Sequence, residues 1–346
     1  MTGRPKCGRM IPFRPDSRQQ APQWQHALRT AFLRPAELLA FLELDPALPS
    51  LDLMRLKDFP LRVPRGFAAR MRKGDPLDPL FLQVWPRPQE ATEAEGFRQD
   101  AVGDLHKTRD GGVIHKYRGR ALLVATGACA VNCRYCFRRH FPYSEQLAAR
   151  DQWREALATI AADPSLEEII LSGGDPLSLS DDKLSELALA LEDIPHVRRL
   201  RIHTRQPVVL PERIDERLLA WLGRGRLQKV IVLHINHPNE IDDSLQAALA
   251  PLRALQIPLL NQAVLLRGIN DSADILQNLS EKLFATGILP YYLHLLDRVQ
   301  GAAHFEVDLE SARALARELV GRLPGYLMPR LAREEAGAAS KTWIAW

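Results

Sequence analysis

Long apolar runs are missing from this chain, and cysteine is scarce. No stretch of its 346 residues approaches the roughly 20 apolar residues that cross a bilayer. Basic residues crowd the start (Arg4, Lys6, Arg9, Arg14, Arg18), but no apolar core of a signal peptide follows them. Four cysteines, three of them in one short run, are too few and too clustered for a disulfide framework, which points to a reducing cytoplasm. Positive charge is equally local. The net charge is +4, and residues 1–20 hold five basic groups against one acid (Asp16), so the remainder is neutral. A basic groove for nucleic acid is therefore not expected, and the start reads as a solvated tail. Lysine thins out as well: Lys341 is the only one after Lys282.

What is present organises into four parts. Residues 1–20 form the basic tail. Residues 21–100 carry amphipathic helical patterns, such as Trp24 to Phe41, interrupted by prolines at 60, 64, 76, 79, 86 and 88, and predict a helical N-terminal region. Residues 101–325 alternate between strand-like runs (121–126, 167–173, 197–204, 229–236, 259–266, 289–296) and helical segments (151–162, 181–192, 215–222, 242–255, 272–285, 308–322). That alternation predicts an α/β fold with a parallel sheet, here a six-unit partial (β/α)6 barrel. Residues 326–346 form a C-terminal segment.

The three clustered cysteines, Cys129, Cys133 and Cys136, are spaced C-x₃-C-x₂-C directly after the first strand. Three thiolates can ligate three irons of a [4Fe–4S] cube and leave the fourth iron open to a small molecule. A structural zinc site is the competing use, but it wants four ligands; Cys7 is distant, and His140 is the one close substitute. In βα barrels, reactive groups gather at the C-terminal ends of strands. The loop Ser172-Gly173-Gly174-Asp175-Pro176, His203 and Arg205, His234 with Asn236 and His237, Gln262 and Asp297 all fall at or near those ends.

The cysteine spacing resembles that of the radical S-adenosylmethionine (SAM) enzymes. The resemblance implies a radical SAM partial barrel in which the open iron chelates SAM. It also implies that Ser172, Gly173, Gly174 and Asp175 form the loop that contacts the methionyl amino group, Asp175 standing where glutamate is usual, with His234 nearby. Further runs narrow it. HKYRGR (115–120), FRRH (137–140), HINHPNEI (234–241), NQAVLLRGIND (261–271), PYYLHLLD (290–297) and SKT (340–342), in this order, resemble the lysine 2,3-aminomutase family over about residues 100–346. FPLRVPRGFAARMRKGDPLDPL (59–80) and LAREEAGAASKT resemble the branch that serves modification of translation elongation factor P.

The family implies pyridoxal 5′-phosphate (PLP) as a second cofactor, with Lys341 in the Schiff-base position. Lys116 and Arg120 fall where the family places phosphate-binding arginines, Tyr117 beside the ring, and Gln262 in the same region. Lys116 is a departure, since lysine offers a point charge where arginine offers a fork. Arg138 matches the residue that pairs with the substrate α-carboxylate. Asp297 matches the acid that takes the ε-ammonium, and Glu334 a second acid, with Glu335 an equal neighbour. The implied reaction converts L-lysine to (R)-β-lysine. The implied partners are a flavodoxin- or ferredoxin-like electron donor, elongation factor P and its lysyl-synthetase-like ligase, with no nucleic acid and no membrane. Ser272 replaces a zinc-binding cysteine of the catabolic mutases, so their zinc-linked assembly is not expected. An aminomutase acting on arginine or glutamate stays open, as does a non-enzymatic iron–sulfur or zinc scaffold, which would leave Arg138, Asp297 and Lys341 without a role.

Overall fold

A computed structural model describes residues 22–48, 59–143 and 153–346. The basic tail and Cys7 lie outside the described residues. The described part of the N-terminal region holds four short α-helices, α1 (Gln23–Arg29), α2 (Pro35–Phe41), α3 (Arg65–Ala68) and α4 (Pro79–Leu82). The helical pattern expected over Trp24 to Phe41 is thus two helices. Pro35 starts the second one, and between them Phe32 pairs with Val63 as an isolated β-bridge. Proline at a first helical position is preset for helix, but it cannot continue one from upstream.

Among the described residues ten strands form one sheet in chain order. β1 (Thr108–Arg109), β2 (Val113–Tyr117) and β3 (Arg120–Thr126) run antiparallel. From β3 the chain steps in parallel through β4 (Glu168–Gly173), β5 (Arg199–Thr204), β6 (Gln228–Leu233), β7 (Leu259–Val264) and β8 (Leu289–His294). Helices fill the crossovers: α5 (Arg154–Ala161), α6 (Asp181–Glu192), α7 (Gln206–Val209) with α8 (Glu216–Leu222), α9 (Asp243–Ala254), and α10 (Ala273–Ala285). These are the six expected units. After α11 (Leu309–Arg322), however, β9 (Arg330–Arg333) adds a seventh parallel strand beside β8, and β10 (Thr342–Trp343) folds back on it antiparallel. The C-terminal segment is therefore part of the sheet. Four residues flanked by arginines show too little periodicity to read as a strand.

Local chemistry explains the helix starts. Asp215, Asp242, Ser272 and Asp308 each accept the backbone N–H three residues on, opening α8, α9, α10 and α11. Ser272 thus has a capping role. Leucines and isoleucines on the outer face of the strands (Leu123, Ile169, Leu200, Ile202) are fully buried with helix residues Leu184, Leu187, Leu218 and Leu245. At about 1.5–3 kcal/mol for each large side chain removed from water, this layer drives assembly. A second core joins Phe67, Phe81 and Trp85 of the N-terminal region to Val209, Leu266, Ile269 and Phe305 of the barrel, and to Ala130 and Val131 of the cysteine loop. Beneath it Arg134 and Glu90, both buried, form a two-pronged ion pair at 2.5 and 2.8 Å. The N-terminal region therefore packs directly against the cysteine loop.

Candidate active site

The inner face of the strands encloses a cavity of about 1070 Å3. All three clustered cysteines line it, free and half-buried, together with the SGGD loop, Arg138, His203, His234, Gln262, Asp297, Glu334 and Lys341. Residues spread over more than 200 positions thus meet in one chamber. His140 lies apart: it is exposed, with Nε2 at 3.2 Å from the Gln300 carbonyl.

The SGGD loop is shaped by its neighbour. Gly173 sits at φ +112°, and a Cβ there would lie 2.7 Å from the Thr126 carbonyl oxygen; one on Gly174 would lie 2.5 Å from that of Ala128. The glycines are needed so that this loop can pack on the cysteine loop, which it also meets through Gly174 N–H to Thr126 O and Asp175 N–H to Ala128 O. Tyr143 OH donates to the Gly173 carbonyl at 2.9 Å. Asp175 has a different task from a ligand-binding acid. Its Oδ1 accepts from Leu177 N–H and Thr204 Oγ1, and its Oδ2 from the Arg205 and Gln206 N–H groups, tying the end of β4 to the end of β5.

Charge partners organise the other side. Lys116 donates to Asp104 at 2.5 Å, the Val102 carbonyl at 2.8 Å and Glu334 at 3.0 Å. An ammonium has three N–H donors, so all three are engaged within the protein, and none is left for the phosphate expected of Lys116. Asp104 also accepts from Arg138 Nε at 2.8 Å, while Arg138 Nη1 donates to Ser172 Oγ at 3.1 Å. Asp104 belongs to no motif, and nothing in its local sequence marks it. Glu334 accepts from Lys341 Nζ at 2.8 Å, whereas Glu335 is exposed and accepts from Thr342. Of the two adjacent acids, only Glu334 faces the cavity. Burial works against its charge, but the ammoniums of Lys341 and Lys116 outweigh that and hold its carboxyl far below the usual range.

Asp297 contrasts with it. Burial first, and then the nearby charge of Glu334, push its carboxyl up to about 7. Among the described residues no side chain donates a hydrogen bond to it. Lys341 Nζ stands 5.8 Å from the Tyr292 ring centre. Arg120 stacks over Tyr117 at 5.0 Å and has no carboxylate partner among the described residues. His234 and Gln262 meet at 2.7 Å, and burial with nearby cations lowers the His234 pKa to about 3, so the ring is neutral. His203, edge-on to it at 6.0 Å, has a buried Nε2 without a hydrogen-bond partner among the described residues.

Residues 123–277 match the model of the radical SAM superfamily. The chain is 49% identical to an L-lysine 2,3-aminomutase of Haemophilus influenzae over 97% of its own length and 99% of the relative's. It is 50% identical to one of Escherichia coli over 92% and 93% of the two chains. A solved radical SAM methyltransferase from Sphaerobacter thermophilus superposes with a TM-score of 0.46 at 18% identity, over 64% of this chain and 68% of that one. The chain belongs to the lysine 2,3-aminomutase family of radical SAM enzymes.

The cavity fits the groups this family implies. Burial, then Asp175 and the other two thiols, push the Cys129 thiol well above its ordinary range, and burial with Cys133 takes Cys136 to about 11. Three thiols held neutral and close together are made into thiolate ligands by a cationic occupant with soft iron, and an iron–sulfur core supplies that. For PLP, an amine (Lys341), an aromatic ring (Tyr292) and an arginine without a carboxylate partner (Arg120) share the chamber.

Proposed function

We propose that this enzyme is a PLP-dependent L-lysine 2,3-aminomutase that forms (R)-β-lysine. The observation that carries the reading is a single cavity lined by three thiols, the amine of Lys341 and the acids Asp297 and Glu334. When bound, the cluster with SAM supplies a carbon radical able to take hydrogen from carbon, and PLP supplies a π-system across which an amino nitrogen can migrate.

Cys129, Cys133 and Cys136 hold the cluster, and SAM lies against the Gly173–Gly174 backbone near His234. Lys341 anchors PLP, with Arg120 at the phosphate, Tyr117 beside the ring and Gln262 steadying His234. Lys116 acts from behind, orienting Glu334 and Asp104. Arg138 has five N–H groups, of which Asp104 and Ser172 take two, so the others can bind the substrate α-carboxylate. At the far end Asp297 receives the ε-ammonium, with Glu334 as the second acid. An isolated buried acid beside another acid favours a cationic side chain, whereas glutamate would add a third negative charge. The enclosing walls exclude water and keep the reacting groups in register.

Anaerobically reconstituted enzyme, supplied with SAM, a reductant and lysine, arginine or glutamate, should form the β-amino acid from lysine by mass spectrometry. Preferred turnover of arginine or glutamate would overturn the substrate. Borohydride should fix the pyridoxyl group on Lys341; labelling of Lys116 or Lys282 would overturn the anchor. The branch resemblance supports a cytoplasmic role supplying β-lysine to elongation factor P through its ligase, with electrons from a flavodoxin- or ferredoxin-like donor. No described helix is long and apolar enough to cross a membrane. Removing the gene should abolish the β-lysyl mass increment on the factor, and an unchanged increment would refute that role.

A further inference from the structure

Arg205 follows β5, and none of the steps above uses it, yet its side chain is only 5% exposed. Nη2 donates to Gln83 Oε1 at 2.7 Å and to Glu240 Oε2 at 2.9 Å; Nη1 donates to Tyr135 OH at 2.6 Å. Its backbone N–H is held by Asp175. These partners are themselves pinned. Gln83 and Glu240 are completely buried and bonded to each other at 3.2 Å, and Asn236 Nδ2 donates to Tyr135 OH at 2.7 Å. The guanidinium is therefore fixed by groups that are not cysteines. With those bonds in place, Nη1 also donates to Cys133 Sγ at 2.7 Å.

We propose that Arg205 is a positioning residue that raises the reduction potential of the bound cluster through the sulfur of Cys133. Reduction adds one electron, drawn from the external donor, and part of its charge resides on the ligating sulfurs. An N–H aimed at such a sulfur stabilises the reduced state, and hydrogen bonds to sulfur are among the factors that set cluster potentials. Glu240 neutralises Arg205 on the side away from the cysteine, so the pair presents an oriented dipole with its positive end at the sulfur. Gln83 follows α4, so the N-terminal region takes part in tuning a centre carried by the barrel. The consequence is a cluster reducible by a weaker donor than it would otherwise require.

This inference rests on the cluster assignment above, and the test separates the two. The probe is a dithionite redox titration of the anaerobic protein, followed by electron paramagnetic resonance without SAM, PLP or lysine. A wild type with no cluster signal defeats the assignment itself. With a cluster present, the doubly changed Arg205→Gln/Glu240→Gln protein, which removes the ion pair as a neutral unit, should keep its iron. Its one-electron reduction equilibrium should become about tenfold less favourable, a 59 mV fall in midpoint. Arg205→Lys, which keeps the charge but loses the fork, should fall in between. An unchanged midpoint in the double variant overturns the proposal. So does loss of the cluster from a folded variant, since that would make Arg205 an assembly residue. Should the double variant fail to fold, Arg205→Lys decides alone: a lowered midpoint supports the proposal and an unchanged one overturns it.

Discussion

Asp297 links acidity to recognition. An acid raised to about 7 is neutral below that pH and charged above it, and kcat/KM reports ionisations of the free enzyme. The kcat/KM for lysine, whose ε-ammonium (about 10.4) stays charged throughout, should therefore climb as pH rises through about 7. Asp297→Asn should flatten that climb. Losing one partner of a desolvated charge pair costs about 2–5 kcal/mol, so turnover of lysine should drop by about one and a half to three and a half decades, with iron and PLP content unchanged. Stability gives an independent reading. The folded pKa exceeds the unfolded value of about 3.9, so the folded state binds this proton more tightly, and stability is lost as pH rises from about 4 to 7. Asp297→Asn should melt above the wild type at pH 8, the gap closing toward pH 4; identical melting at pH 8 would contradict the burial of this charge. The cysteines admit a sharper outcome. Any one of Cys129, Cys133 or Cys136 changed to Ala should abolish iron binding and SAM cleavage, and Cys7→Ala should preserve both. Iron analysis and 5′-deoxyadenosine yield decide.

Among the elements, the joint between β4 and β5 matters most, because Asp175 alone satisfies four donors there. In Asp175→Asn one oxygen becomes an NH2 facing donors, of which only the Gln206 N–H has a second acceptor, Thr204 Oγ1 at 3.1 Å. Leaving a buried donor unpaired costs about 1–3 kcal/mol. Urea unfolding should show a loss of that size, with weaker SAM binding because the Gly173–Gly174 backbone is no longer braced; equal stability would mean that the four bonds are dispensable. β9 and β10 form a second joint. Leu331 and Ala332 are buried within β9, the Ile344 N–H bonds to the Leu331 carbonyl, and this short ribbon brings Glu334 and Lys341 to the cavity.

For the molecule as a whole, the shared core of the N-terminal region and the barrel implies a single cooperative unit. Phe67, Phe81 and Trp85 share one core with Leu38, Leu42 and Val63 of their own region and with Val209, Leu266 and Phe305 of the barrel. Residues 101–346 expressed alone should expose the barrel side of that core, Val209, Leu266, Ile269 and Phe305, and lose the Glu90 carboxylate and Phe59 carbonyl that hold Arg134 of the cysteine loop. Calorimetry should show one transition for the full chain and no cooperative transition for the fragment. A fragment that melts cooperatively and holds its iron would make the N-terminal region dispensable.

The sequence by itself determined the strand–helix alternation of the barrel, the three-cysteine loop after its first long strand, and the gathering of His203, Arg205, His234, Gln262 and Asp297 around one chamber. These are legible because helix period, strand period and ligand spacing are properties of neighbouring residues. The tertiary structure alone decided what each charge faces. Lys116 and Glu334 meet across 218 positions, and Asp104 joins them without any motif. Asp175 became a brace, because its loop had to pack on the cysteine loop. Glu334 was separated from Glu335 by the alternation of side chains past the end of β9, a strand too short to announce itself. Charge pairing depends on distance through space and on the solvent excluded around it, and spacing along the chain encodes neither.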